Sequence, residues 1–226
     1  MTQPIAIFGS GGFAREVLQV VLDINAHYAA APPWKPVGFV VDTAYAIDQS
    51  VHDFPVYSGL DWLRNNSDVM VVIGVGSSAA RQKIATRIRA NCTNPWATLI
   101  HPQAWLGRRV EIGLGAVICA GGLITTDIRI GAHVHINLGC TIGHDAVLDD
   151  FVTLNPGVNV SGATMLGTGC EIGTGAVVLP SIKVGEWAIV GAGAVVNKPL
   201  AANVTAVGVP ACVVKKRSVG WQNLST

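Results

Sequence analysis

From Ile100 onward every sixth residue is a branched aliphatic: Ile100, Leu106, Ile112, Ile118, Ile124, Ile130, Ile136, Ile142, Leu148, Leu154, Val160, Leu166, Ile172, Val178, Val184, Val190 and Val196. Four residues after each of the first sixteen stands another uncharged residue, most often Ala or Val. The residue directly after is Gly, Asn or Asp in twelve of the seventeen cases. A period of six fits neither the 3.6-residue turn of a helix nor the alternation of a long strand. It fits short strands joined by tight corners, with the aliphatic pointing inward and a small residue filling each corner. Units this short cannot bury an apolar face alone, so the pattern predicts that they stack into a solenoid.

Before residue 95 the pattern is different. Ile5–Phe8, Val37–Val41 and Val69–Ile73 are compact apolar runs of strand length, while Ala14–Ile24 and Ala79–Ala90 have helical spacing. The first run ends in Gly9-Ser10-Gly11-Gly12, the second at Asp42, and the third in Gly74-Val75-Gly76-Ser77-Ser78. This alternation predicts a small Rossmann-like α/β domain with a parallel sheet and loops gathered at the carboxyl ends of its strands. A glycine-rich strand-to-helix turn presents bare backbone amides to a phosphate or carbonyl. The dinucleotide fingerprint G-x-G-x-x-G is incomplete, since position 14 is Ala, which argues against NAD. Pro95 to Pro102 marks the junction, giving an expected organisation of 1–95, 96–200 and a tail, 201–226.

Composition narrows the function. Half of the 226 residues are apolar, 13% are charged, and the formal charge is +1, without the basic excess of a nucleic-acid binder. Met1-Thr2-Gln3-Pro4 lacks a cationic leader region, Ile5–Phe8 is too short for a signal peptide, and no apolar run has bilayer length. The expectation is a soluble cytoplasmic protein that uses no membrane. The five cysteines (92, 119, 140, 170, 212) lack zinc-type spacing and read as reduced, packed thiols.

The six-residue period resembles that of the hexapeptide-repeat acyltransferases, which implies an all-β left-handed parallel β-helix with three hexads per coil and residues eighteen apart stacked. Among the histidines, His27 and His52 read as surface residues, His101 as a cap on the first coil, and His133 and His135 as outward-facing polar residues. His144 falls at a corner, in Ile142-Gly143-His144-Asp145, beside a carboxylate and one coil from Gly162. A base, a carboxylate and an exposed amide are the parts that acyl transfer requires. Solenoid carbonic anhydrases would need a His-x4-His pair, but Asp149 stands five residues after His144, so no metal is expected.

The segments Phe8–Val17, Ile100-His101-Pro102, Ile142–Asp145, Gly191–Val196 and Val207-Gly208-Val209-Pro210-Ala211 together resemble the sialic acid O-acetyltransferase/sugar O-acyltransferase family. That family includes N-acetyltransferases of UDP- or GDP-linked 4-amino-4,6-dideoxy sugars. The resemblance implies a homotrimer that uses acetyl-CoA as cosubstrate and a nucleotide-linked amino sugar as acceptor, in surface-glycan synthesis. It implies His144 as general base, Asp145 as its tuning carboxylate and Gly162 as the amide polarising the thioester. For the coenzyme it implies Thr153, Asn155, Gly162, Thr174, Ala192, Lys198, Pro210, Lys215 and Lys216. For the nucleotide sugar it implies Gly9, Gly11, Gly12, Phe13, Asp42, Gly74, Gly76 and Asn137. Phe13 departs from the His common in relatives, and Cys212 from their basic residue. Sugar O-acetylation and a non-catalytic nucleotide-sugar-binding solenoid are the alternatives.

Overall fold

A computed structural model describes residues 2–45 and 50–223. Its first part is a parallel sheet in the order β3-β2-β1-β4, formed by β1 (Gln3–Phe8), β2 (Trp34–Val41), β3 (Val56–Ser58) and β4 (Met70–Ile73). Helices α1 (Gly12–His27), α2 (Leu60–Asn65) and α3 (Ser78–Asn91) connect and follow these strands. Ile5, Ala6, Ile7 and Phe8 are all buried, because successive side chains face different helices. Ile5, Ile7, Phe39 and Val72 pack against Ala14, Val17, Leu18 and Val21 of α1. Ala6, Phe8, Val40 and Ile73 pack against Ala85 and Ile88 of α3. The expected strands and helices are present, all with longer ends except β4, which begins at Met70 and not Val69, while β3 and α2 escaped prediction because neither is long enough to show a period.

The second part is a left-handed parallel β-helix. Strands of two or three residues pair in parallel with those eighteen residues on, as in His135↔Thr153, Thr141↔Asn159 and Val147↔Met165. They form three sheets, which we call the docking face, the middle face and the far face in the order the chain visits them. The fourteen aliphatics from Ile118 to Val196 at six-residue steps are 0–2% exposed and make the interior. Ile100, the first of the expected inward series, is instead 37% exposed; its neighbour Leu99 is buried beneath α1.

The corners follow a rule that the composition hid. The third residue after each inward aliphatic from Leu106 to Val190 has positive φ, whether it is Gly157 (71°), Asp145 (59°), Phe151 (61°) or Trp187 (56°). A left-handed conformation is costly for such side chains. It is held here by a hydrogen bond to the coil before, as from Phe151 N–H to Ala132 O (2.9 Å) and Trp187 N–H to Thr168 O (2.9 Å). The glycines directly after the inward residue serve close approach instead: a Cβ on Gly143 would lie 2.6 Å from Gly162 N.

The α/β part sits on the docking face. Along that face Leu99, Val117, His135, Thr153 and Glu171 stack at eighteen-residue steps. Leu99 and Val117 join the α1 core, Phe13 lies over His135 with ring centroids 4.8 Å apart, and Ser78 N–H donates to Glu171 Oε1 (2.7 Å). Arg81 of α3 is fully buried at the centre of this seam. It donates to the carbonyls of His133 (2.8 Å), Val75 (2.9 Å), Gly76 (2.9 Å) and Phe151 (2.8 Å), and to Thr153 Oγ1 (2.8 Å). Burial draws its guanidinium down to about 9, against the pull of Glu171. His101 joins the first coil to α1 through Asp23 (3.0 Å).

His133 and His135, expected to face solvent, do project from the solenoid but are 5% and 0% exposed because the α/β part covers them. His133 is stacked on Phe151 and meets Trp96 edge-on, at 5.2 and 4.5 Å. Burial, followed by the Arg81 charge, lowers its imidazole to about 4. The unfolded chain therefore takes up this proton near pH 6.5 and the folded chain only near 4, so stability present above pH 6.5 is lost as pH falls towards 4. A loss approaching ~3 kcal/mol follows from the conversion of pKa to free energy. Thermal melts between pH 7 and 4.5 should show Tm falling, and His133→Phe should flatten that slope. An unchanged slope in the variant would contradict this origin.

Candidate active site

Two regions carry the candidate chemistry. The first is a cleft of about 660 Å³ outside the carboxyl ends of β1, β2 and β4, lined by Gly9, Gly11, Gly12, Phe13, Asp42, Gly74 and Gly76 among others. It lies where the strand order reverses, with β2 and β3 on one side of β1 and β4 on the other, the place where open α/β sheets take ligands. Gly9 turns the chain out of β1 with φ +111°. Gly11 N-caps α1 with no side-chain bond to the helix, which leaves the first-turn amides to other acceptors. Asp42 closes the far wall, its carboxylate 2.6 Å from Arg87 Nη2. A Cβ on Gly74 would fall 2.7 Å from Ala14 Cα, so that glycine brings β4 against α1; Gly11 and Gly76 have open space where a Cβ would stand.

The second region is a vertex of the solenoid. His144 lies between Thr141–Ile142 of the middle face and Val147–Leu148 of the far face. Its Nδ1 is 2.8 Å from Asp145 Oδ2, and both side chains are about two thirds exposed (66% and 63%). The other edge of the ring rests on the next coil, where a Cβ on Gly162 would lie 2.7 Å from Nε2. A side chain at 162 would push the imidazole from this position, and Gly162 N–H donates to no acceptor among the described residues. One coil earlier Asp127 is bonded to Arg109 Nε (2.5 Å) and Thr126 Oγ1 (2.9 Å). These two bonds hold its carboxyl below the usual range. Sequence reading missed Asp127, although it stands eighteen residues before Asp145.

The remaining expected residues fall elsewhere. Thr174 and Ala192 are exposed in successive turns between the docking and middle faces. Asn155 begins the corresponding turn one coil before Thr174, its amide donating to Ile172 O (2.9 Å). Asn137, one coil before Asn155, donates to Leu154 O (2.7 Å) and is 6% exposed. The hairpin of Val204–Val207 and Cys212–Lys216 extends the docking face. Its tip reaches Val195, with Ala211 N–H on Val195 O (2.8 Å), so Pro210 lies near the same vertex and Lys198, Lys215 and Lys216 are exposed. Thr153 is a correction: it is 3% exposed, and its hydroxyl is bound by Arg81 and by Ser78 (2.8 Å each). It points out from the docking face exactly where α3 begins, so it belongs to the seam and not to an open groove. Among the described residues no cluster of three or more His, Cys, Asp or Glu is arranged to hold a metal, and no helix is long and apolar enough to cross a membrane. Cys92, Cys119, Cys140 and Cys170 are buried free thiols; burial pushes Cys119 up to about 12.

Comparison with known proteins finds matches to both parts of the chain. Residues 4–88 match the PglD N-terminal domain and residues 163–198 the bacterial transferase hexapeptide (six repeats). The chain is 28% identical over 153 residues to the GDP-perosamine N-acetyltransferase of Escherichia coli O157:H7, a match covering 65% of each chain. Among solved structures it is similar to a variant of perosamine N-acetyltransferase from Caulobacter crescentus in complex with CoA and GDP-perosamine. That similarity has a TM-score of 0.85 and 27% identity, and covers 96% of this chain and 99% of that one. The acetyltransferase domain of PglB from Neisseria gonorrhoeae FA1090 in complex with acetyl coenzyme A is also similar. Its TM-score is 0.79 at 27% identity, with coverage of 95% and 100%.

Proposed function

We propose that the chain, which matches the PglD N-terminal domain over residues 4–88 and the bacterial transferase hexapeptide over residues 163–198, acetylates a nucleotide-linked amino sugar. The acetyl group comes from acetyl-CoA, and the acceptor is the amine of a UDP- or GDP-linked 4-amino-4,6-dideoxy sugar. One observation carries the reading: an imidazole anchored by Asp145 at Nδ1 presents its other edge beside the unengaged amide of Gly162. The complexes of the two solved relatives with CoA, GDP-perosamine and acetyl coenzyme A support the substrate pair.

Asp145 fixes the tautomer, with the proton on Nδ1, so that Nε2 is the base. As the amine attacks the thioester carbonyl a C–N bond forms, Nε2 takes the amine proton, and Gly162 N–H stabilises the oxyanion. The C–S bond then breaks and the thiolate of CoA leaves, taking up the proton. Residues 1–95 hold the nucleotide sugar through Gly9, Gly11, Gly12, Phe13, Asp42, Gly74 and Gly76, with Asn137 beneath. Residues 96–200 form the transferase vertex, where Asn155, Thr174, Ala192 and Lys198 line the coenzyme path. The tail, 201–226, adds Pro210, Lys215 and Lys216. The setting is the cytoplasm, in synthesis of a surface glycan.

The acceptor cleft and His144 of one chain cannot meet. The α/β part sits on the docking face, and His144 occupies the one vertex of the triangular solenoid that this face does not touch. Asn155, Thr174 and Ala192 lie on a different vertex, between the docking and middle faces, while Lys198 stands on the His144 vertex, between the middle and far faces. The proposal therefore requires a homotrimer in which His144 of one subunit meets the cleft of its neighbour.

The test is thiol release from acetyl-CoA with UDP-, GDP- and dTDP-linked 4-amino sugars, for wild type and Gly11→Val. Gly11 has an extended backbone (φ −74°, ψ −168°) and free space at Cβ, so valine is accommodated but intrudes on the cleft. The acceptor KM should rise by roughly tenfold or more, with the KM for acetyl-CoA unchanged. Equal rises for both substrates would contradict the assignment of the cleft.

A further inference from the structure

Polar side chains buried in a seam nearly always find partners, and an exception calls for an explanation. His135 is such an exception. It is 0% exposed, and neither Nδ1 nor Nε2 has a hydrogen-bond partner. His133, its neighbour, is pinned between aromatic rings away from the cleft. His135 instead rises from the docking face directly under the point where the α/β sheet reverses. Phe13, in the first turn of α1, covers it with ring centroids 4.8 Å apart and planes tilted by 37°. The backbone of Ile73, last residue of β4 before Gly74, lies on its other side and acts to raise the imidazole, but it does not meet hydrogen-bond geometry with either ring nitrogen. Phe13 and Gly74 both line the 660 Å³ cleft, so one half-buried ring separates this imidazole from the space at the start of α1.

We propose that His135 is a phosphate-binding residue of the cleft, covered by the Phe13 ring until a nucleoside diphosphate turns that ring aside, and that it then donates an N–H to a diphosphate oxygen held at the start of α1. The inference rests on the reading of the cleft as a nucleotide site. A neutral imidazole has one N–H to donate, and the chain keeps this one neutral: burial, then the charges of Arg81 and His133, oppose its protonation. Arg81, the nearest guanidinium, is committed to the carbonyls of the seam and has no bond left to offer the ligand. An apolar side chain would fill the same space without stranding two polar atoms. A histidine here costs stability that the fold does not recover, and a ligand contact does recover it.

His135→Leu separates the two roles. Calorimetric titration of wild type and variant with UDP, GDP and dTDP, and with uridine, guanosine and thymidine, measures the phosphate contact directly. We expect the variant to melt about 2–4 °C higher. The Kd for the diphosphate that binds wild type should weaken about tenfold or more, the loss of one charge-assisted hydrogen bond. The matching nucleoside should bind both proteins alike. Independently, ¹⁵N spectra of histidine-labelled wild type should show the His135 ring nitrogens shifting on addition of the diphosphate but not of the nucleoside. If no diphosphate binds wild type, the nucleotide reading of the cleft fails and this inference with it. If a diphosphate binds wild type and His135→Leu equally, or leaves the His135 signals unmoved, the inference alone is overturned.

Discussion

Replacing His144 by Ala is expected to lower kcat by roughly 10²–10⁴ while leaving affinity for acetyl-CoA and the melting temperature near wild type. The side chain is two thirds exposed and its one polar bond is to an equally exposed Asp145, so little packing is lost with it. What is lost is the only ring nitrogen placed beside Gly162. His144→Asn should be as impaired, because an amide keeps a polar group without accepting the proton. Asp145→Asn should be milder, since the base survives and only the anchor of its tautomer is weakened. An amine acceptor softens all three effects relative to a hydroxyl, because a neutral amine can attack first and lose its proton later. Near-wild-type kcat in both His144 variants, on every acceptor, would remove the general base from the mechanism.

The second large effect is a gain. Gly11→Trp fills the acceptor cleft, since a Cβ at that position would meet nothing within 4 Å, and should be inactive; so should His144→Ala. Co-expressed as mixed trimers, the two dead chains are expected to recover about a third of wild-type activity. In a closed ring of three that holds both chains, about one site in three combines an intact cleft from one subunit with an intact vertex from the next. A site contained within one chain gives no recovery at all. Separately tagged chains, purified through both tags and assayed by thiol release, distinguish the outcomes.

The sequence carried the solenoid because its interior demands one branched aliphatic every sixth residue, and that demand tolerates few exceptions from Ile118 to Val196. It hid the corners. Their left-handed position accepts Phe151, Trp187 and Ala163 because hydrogen bonds to the preceding coil fix the turn, so no residue type marks it. His144, Asp145 and Gly162 were legible, since the eighteen-residue register stacks them whatever lies around the solenoid. The burial of His133 and His135, and of Thr153, which the resemblance implied for the coenzyme groove, was not legible for one reason: all three point outward, and the period says nothing about which outward face a second domain will cover. Arg81 was missed outright. In a helix of ordinary composition nothing distinguishes a surface arginine from one at the centre of a seam, because its partners are carbonyls of three separate segments, at 75–76, 133 and 151–152, which only the fold brings together.

The central claim is transfer of an acetyl group to the amine of a nucleotide-linked sugar. Its most direct test is mass spectrometry of the products after incubation of the wild-type chain with acetyl-CoA and a nucleotide-linked 4-amino-4,6-dideoxy sugar, beside the matching 4-hydroxy sugar. The account predicts one acetyl group on the amino sugar, located on nitrogen by fragmentation, with stoichiometric release of CoA and no product from the 4-hydroxy sugar. Acetylation of a hydroxyl on both sugars, or binding of both with no acetyl transfer, would contradict it.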